Sequence, residues 1–278
     1  MGRHARLELV FAPRRGRTII AHAYAEPPFR VGACFAEGAG VHLILASSAP
    51  GTFGGDVWQQ SIRVERGARV RLTSQSALQV HPSTDAIPAR SSASYEVAEG
   101  AHLHCHWDPV IPFARARLAQ RFDIDVAAGG SLYWSDALIC GRRGRGEAWM
   151  FTELAHELRL SIGGRLKYLE RYRLIPAERQ LSHPWIAGGA SYLGTIVECG
   201  DSRESARIEA LHSEVQGFGG VRAAASCLEP GVRLVRLMAE TGPPFHELRA
   251  AVQRRRLESC SGFVVGAHDD AGGRQAKE

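Results

Sequence analysis

Residues 95–108 read YEVAEGAHLHCHWD. A short run ends in Val97, two residues and Gly100 follow, and after a small residue a second run alternates His102, His104 and His106 with Leu103, Cys105 and Trp107. Alternation belongs to a strand, whose successive side chains point to opposite faces. The glycine supplies the positive φ that a tight strand-to-strand connection needs. The same phrase occurs twice more, on Val64 and Gly67 in IRVERGARVRLTS (62–74) and on Val126 and Gly129 in IDVAAGGSLYWSD (124–136). Recurrence at about 30 residues suggests stacked strand–turn–strand units, each burying its apolar face on the next. The expected fold is mainly β, a solenoid-like stack of strands in two layers.

The flanking sequence agrees. LELVF (7–11), RTIIAHAYA (17–25), VHLILAS (41–47) and VWQQSIRV (57–64) are short apolar or β-branched runs separated by Gly and Pro. Helical spacing first appears near residue 200, with Ile208, Leu211 and Val215, then Leu248, Val252 and Leu257 after the Pro243–Pro244 pair. Two α-helices near the C-terminus are therefore expected, with GVRLVRLMA (231–239) as a strand between them. Residues 1–265 read as one domain and 266–278, without periodicity, as a flexible tail.

The chain has 278 residues, 45% hydrophobic and 23% charged, with a net charge of +5. That is the composition of a folded protein able to bury a large core. The arginines are scattered apart from two short groups, 142–145 and 254–256, so no nucleic-acid stripe is expected. No apolar run is long enough for a membrane span, and the N-terminus lacks the apolar core of a signal peptide. Six cysteines without a C-x-x-C pair suggest reduced thiols. A cytoplasmic location without membrane attachment is the expectation.

No nucleophile elbow, phosphate loop or H-E-x-x-H motif is present, and no acid–base constellation stands out, so no catalytic residue is assigned and a non-enzyme is expected. His102, His104 and His106 are the strongest local chemical signal. They share one strand face, and neutral imidazoles suit nickel, copper or zinc. The other reading of the row is a polar strand face without a ligand. If the units stack, Thr73 and Ser74, His106 and Trp107, and Ser135 and Asp136 fall at equivalent positions, with Asp108 one residue further. That recurrence reads as a polar seam or water-filled passage between the layers, or as strand ends meeting solvent.

Several segments together carry a family resemblance: PGTFGGDVW, LTSQSA, LHCHWDPVIPFARARL, YWSDALICGRRGRGEAW and YLERY, in this order. Over roughly residues 5 to 257 the chain resembles the urease accessory proteins called UreD, or UreH. The resemblance implies a non-catalytic maturation chaperone and scaffold. Its partners would be urease apoprotein, the accessory protein UreF and, through UreF, the GTPase UreG. No cofactor would be tightly bound, and nickel would pass transiently through an internal channel towards the urease active site. Asp56, Thr73, Ser74, Asp108 and Asp136 are the candidate passage residues, and His102, His104 and His106 the candidate metal contacts, His106 foremost because it falls on the seam. Partner-binding residues are not assigned. The rival reading is a stand-alone metal-binding β-solenoid, a metalloenzyme or a repurposed interaction module, built on the three histidines. The chain also departs from the family pattern, with Gln79 and His81 in place of Lys and Tyr and with Leu103-His104-Cys105-His106 in place of a Leu-Glu-Trp-Leu strand.

Overall fold

The structure is a computed structural model and describes residues 2–200 and 208–259. The tail expected over 266–278, and the end of the domain expected over 1–265, lie outside the described residues. The first strands are β1 (His4–Arg14), β2 (Arg17–Ala25), β3 (Phe29–Glu37), β4 (Gly40–Ser47), β5 (Val57–Val64) and β6 (Arg69–Ser74). Next come β7 (Leu78–Val80), β8 (Ala89–Val97), β9 (His102–His106), β10 (Val110–Pro112), β11 (Arg117–Val126) and β12 (Ser131–Ile139). Then follow β13 (Glu153–Ile162), β14 (Arg165–Leu174), β15 (Tyr192–Cys199), α1 (Ile208–Gln216), β16 (Val221–Glu229), β17 (Val232–Ala239) and α2 (Gly242–Ser259). One sheet has the order β14-β13-β11-β8-β5-β1-β2; the other runs β16-β17-β15-β12-β9-β6-β4-β3, with β7 and β10 joined at its side.

Each repeated phrase spans both sheets. β5, β8 and β11 lie parallel in the first, and each turns through its glycine into β6, β9 or β12, parallel in the second. Gly67, Gly100 and Gly129 have φ of 75°, 68° and 79°. A Cβ on Gly67 or Gly100 would meet nothing within 4 Å, so left-handed backbone selects glycine there, not crowding. The register follows the repeat: Val64 pairs with Val97 and Val97 with Val126 in one sheet, Thr73 with His106 and His106 with Ser135 in the other. The stack ends in antiparallel pairs, β1–β2 and β3–β4 at one side and β13–β14 and β15–β17–β16 at the other. Such ends close a repeat that would otherwise expose its next pairing face.

The inner faces meet in an apolar core. Val41, Val70, Leu103, Leu132, Cys199 and Val232 form one buried column across six strands of the second sheet. On that sheet's outer face, Leu211 and Val215 of α1 and Phe245, Leu248 and Val252 of α2 pack with Tyr133, Val235 and Leu237. These include four of the six residues whose spacing signalled helices. Among the described residues no helix is long and apolar enough to cross a membrane.

Candidate functional site

Away from the glycine turns the space between the sheets opens into a cavity of about 620 Å³. Its walls are two facing ladders set by strand register. In the first sheet Trp58 pairs with Ser91, Ser91 with Gln120, Gln120 with His156 and His156 with Tyr172. In the second, Asp136 pairs with Thr195 and Thr195 with Arg236, continuing the row begun by Ser74 and by Trp107, one residue beyond the paired His106. All ten side chains line the cavity. Five strands at a spacing of about 4.8 Å make the first ladder roughly 19 Å long. It runs from an apolar end near Phe29, Leu45 and Pro50 to a polar end at β14.

Midway, the Ser74 hydroxyl donates to Asp108 Oδ2 at 2.9 Å, and the Asp108 amide donates to Ser74 Oγ at 2.8 Å. At the β14 end, Asp136 Oδ2 accepts the Trp134 indole N–H at 3.0 Å and lies 3.9 Å from His156 Nε2. Burial pushes the Asp136 carboxyl above its usual range, only partly offset by His156. The His156 ring stacks on Tyr172 at 4.8 Å. Glu170 Oε2 accepts from Tyr168 at 2.9 Å and Thr195 at 3.4 Å, and Glu170 Oε1 is paired with Arg236. Three buried polar atoms on the walls, Trp58 Nε1, Trp107 Nε1 and His156 Nε2, have no hydrogen-bond partner. Buried polar groups are stable when something small and polar pairs with them, so at these three points the wall suits small polar occupants, while Phe29, Leu45, Phe122 and Leu154 keep much of the rest apolar.

Of the passage residues expected from the sequence, Ser74, Asp108 and Asp136 line this cavity and Asp56 and Thr73 do not. Asp56 is a buried turn anchor: its carboxylate accepts the Arg3 and Phe53 amides at 2.8 and 2.9 Å, tying the start of β1 to β5. Thr73 points to the outer face, where its hydroxyl shares a 2.8 Å hydrogen bond with His42. Strand parity separates Thr73 from Ser74, because only one of two consecutive residues can face inward; Asp56 precedes β5 and is withdrawn instead by its hydrogen bonds to the Arg3 and Phe53 amides.

The same parity puts His102, His104 and His106 outside the cavity, beneath α2. Arg249 there donates to Ser135 Oγ and to the Trp107 carbonyl, Gln253 reaches His104 Nε2 at 3.1 Å, and Arg256 donates to the Cys199 carbonyl. His104 stacks on Tyr133 at 4.2 Å, and His102 shares a hydrogen bond with Ser131 at 2.9 Å. Burial, then Arg69 and Arg256, lowers His102 to about 4. Burial followed by Arg71 and Arg256 holds His104 well below 6.5, and burial followed by Arg249 does the same for His106. Neighbouring imidazoles on this face start about 6.6 Å apart, and the guanidinium groups that add to burial in keeping them neutral also repel metal cations. Among the described residues no group of three or more His, Cys, Asp or Glu is placed to hold a metal ion.

A family model described as UreD urease accessory protein matches residues 3–261. The chain belongs to the UreD family. It is 37% identical over 199 residues to the urease accessory protein UreD of Sorangium cellulosum (strain So ce56), a match covering 72% of this chain and 62% of that protein, less than two thirds of its length. With the UreD of Anaeromyxobacter sp. (strain Fw109-5) it shares 32% identity over 244 residues, 85% of this chain and 81% of that protein. The UreD of Rhodopseudomonas palustris (strain BisA53) is 32% identical over 206 residues, 71% of this chain and 72% of its own.

Within this UreD chain, reading the sequence missed Gln120, His156, Glu170, Thr195 and Arg236. The signal was present as polar residues on inward parity. His156 interrupts the row Leu154, Leu158, Leu160, and Gln120 interrupts Leu118, Phe122, Ile124. Tyr168, Glu170 and Tyr172 alternate in YLERY, the segment that also carries part of the family resemblance.

Proposed function

We propose that this UreD-family chain is a non-catalytic maturation chaperone and scaffold. It joins urease apoprotein to UreF and, through UreF, to UreG in the cytoplasm, and passes nickel along the cavity as transient cargo with no tightly bound cofactor. The observation that carries this reading is the pair of facing ladders. A conducting path needs polar contacts spread along its length and each weak enough to let the ion go, and the ladders offer hydroxyls, an amide, an imidazole and the Asp136 carboxylate, with Asp108 and Glu170 beside them. Ser74, Asp108 and Asp136 are the contacts within it. A three-histidine trap would hold nickel too firmly for transfer, and the histidine row serves here to seat α2. The stand-alone metal-binding reading has no comparable support.

The test co-expresses Asp136→Leu and Asp108→Leu variants with the host's UreF and urease apoprotein. Size exclusion should show the complex intact while urease nickel content and activity fall to the background of the strain without this chain. Full activation by both variants would overturn the passage, and failure of the unmodified chain to join the complex would overturn the scaffold.

A further inference from the structure

We propose that Arg236 is a tethered cation that holds the β14 end of the cavity closed, and that a divalent metal ion crosses that end by displacing it, onto a site formed by Glu170, Asp136 and His156. The proposal rests on the passage reading above. Glu170 lies on β14, the edge of the first sheet, and Arg236 on β17 of the second. Their ion pair, with Lys167–Glu229 at 2.8 Å beside it, bridges the open side of the sandwich. The guanidinium is held by three groups at once: Glu170 Oε1, the Tyr168 hydroxyl at 2.8 Å and Thr195 Oγ1 at 2.9 Å. Yet its side chain is 47% exposed while Glu170 is 7% exposed. The carboxylate is fixed inside, and the cation covering it has solvent to swing into.

The other two ligands already wait on the inner side. Thr195 is the strand partner of both Asp136 and Arg236, and its hydroxyl also touches Glu170. The two carboxylates therefore approach one space from opposite sheets. His156 Nε2, 4% exposed at the side chain, faces that space 3.9 Å from Asp136 Oδ2 without a hydrogen-bond partner. An imidazole with two carboxylates is a donor set that suits nickel among the borderline divalent ions. With Arg236 in place one carboxylate is already neutralised and a fixed positive charge confronts any arriving cation. Among the described residues no three-ligand group stands ready; the site is completed only when Glu170, released from Arg236, turns towards Asp136 and His156. When the ion carries two charges it outcompetes the guanidinium for Glu170, and when it moves on the arginine returns, so no buried carboxylate is left unpaired.

The experiment measures binding of nickel chloride alone to the purified chain, or to its UreF complex, by equilibrium dialysis. Arg236→Met should raise affinity by roughly tenfold, Arg236→Lys should stay near the unmodified protein, and Arg236→Met with His156→Phe should lose the gain. Arg236→Gln, which keeps hydrogen bonds to Glu170 but not the charge, carries the same test if the methionine variant does not fold. Unchanged affinity in the neutral variants, or a gain that survives loss of His156, overturns the proposal. The Asp136→Leu and Asp108→Leu activation assay decides the passage separately: loss of activation with no change at Arg236 leaves the passage standing and removes the gate.

Discussion

The two ends of the same strands obey different rules. Beside the glycine turns the first sheet presents Val64, Val97, Val126 and Ile162 in register, all apolar; six residues earlier on those strands the row is Trp58, Ser91, Gln120 and His156. The second sheet repeats the contrast, from Val70, Leu103 and Leu132 to Ser74, Trp107 and Asp136. In the first sheet backbone pairing is continuous through both rows, so hydrogen bonding does not distinguish them; in the second, the β6–β9–β12 ladder stops at Thr73, His106 and Ser135, just before the cavity row. What differs is the chemistry of the facing rows. Apolar rows exclude water and hold the sheets together at about 25 cal/mol per Å² buried. Polar rows cannot close on each other without stranding donors, so they stand apart and leave a cavity. Stability concentrated at one end of each unit leaves the other end free for the passage proposed above.

The sharpest way to break that comparison is truncation in the dry half. Leu103 is 1% exposed at the centre of a six-strand column. Leu103→Ala should cost about 2–5 kcal/mol, read as a lower urea midpoint with an unchanged slope. Ser91→Ala in the wet ladder should move the same midpoint by less than about 1 kcal/mol. Equal losses at the two positions would mean that the cavity walls are as tightly coupled as the core, and the division would fail.

Acid sharpens the contrast by separating the cavity from the outer polar seam under α2. His102 titrates near 4 in the fold against 6.5 when unfolded. Between those values the unfolded chain binds more protons, so stability present above about pH 6.5 is lost as pH falls towards 4. His104 and His106 are shifted the same way, and the cations facing the row (Arg69, Arg71, Arg249 and Arg256) make its protonation more unfavourable still. Thermal midpoints should drop steeply through this window, with amide exchange rising first in α2. His104→Phe keeps an aromatic ring against Tyr133 but removes one proton site, so its profile should be flatter. Parallel profiles for the two proteins would show that the seam does not set the acid response.

Gly100→Ala comes next. With φ of 68° and no atom within 4 Å of the added methyl, only backbone strain opposes it, roughly 1 kcal/mol. The result also measures how far the repeat was legible before the structure. The strand-turn-strand phrase, its phasing and the helices were readable because period-two alternation and positive-φ glycines are local signals. The wet ladder was half readable: Ser74 and Asp136 followed from the phrase, whereas Glu170, Thr195 and Arg236 lie on the antiparallel strands that close the stack, outside the repeat. Thr73 falls off the cavity because counting from a glycine gives position along a strand, and parity then decides which sheet face receives the side chain; Asp56 came with the family resemblance rather than the repeat, and its turn binds the carboxylate to the Arg3 and Phe53 amides. The histidine row gave the opposite difficulty. Its alternation was plain, but what buries it is a helix about 150 residues later in sequence, with Gln253 reaching His104 and Arg249 and Arg256 adding to the charge of Arg69 and Arg71, and nothing local announces that contact.

The smallest expected change in stability belongs to Gln120→Leu, and it is the most informative about function. Gln120 sits in the middle of the first ladder between Ser91 and His156, 9% exposed and facing the cavity. Leucine is of similar size and sits on inward parity with Leu118 and Phe122 in the same strand. It exchanges a polar wall for an apolar one with little change in volume, so unfolding should shift by less than about 1 kcal/mol in either direction. If the ladder carries nickel, an apolar rung halfway along its roughly 19 Å interrupts the series of contacts, and urease activation should fall while complex formation is untouched. If activation is unaffected, the polar groups are there to solvate the wall rather than to hand on an ion, and the wet half would be a consequence of open sheets instead of a purpose for them.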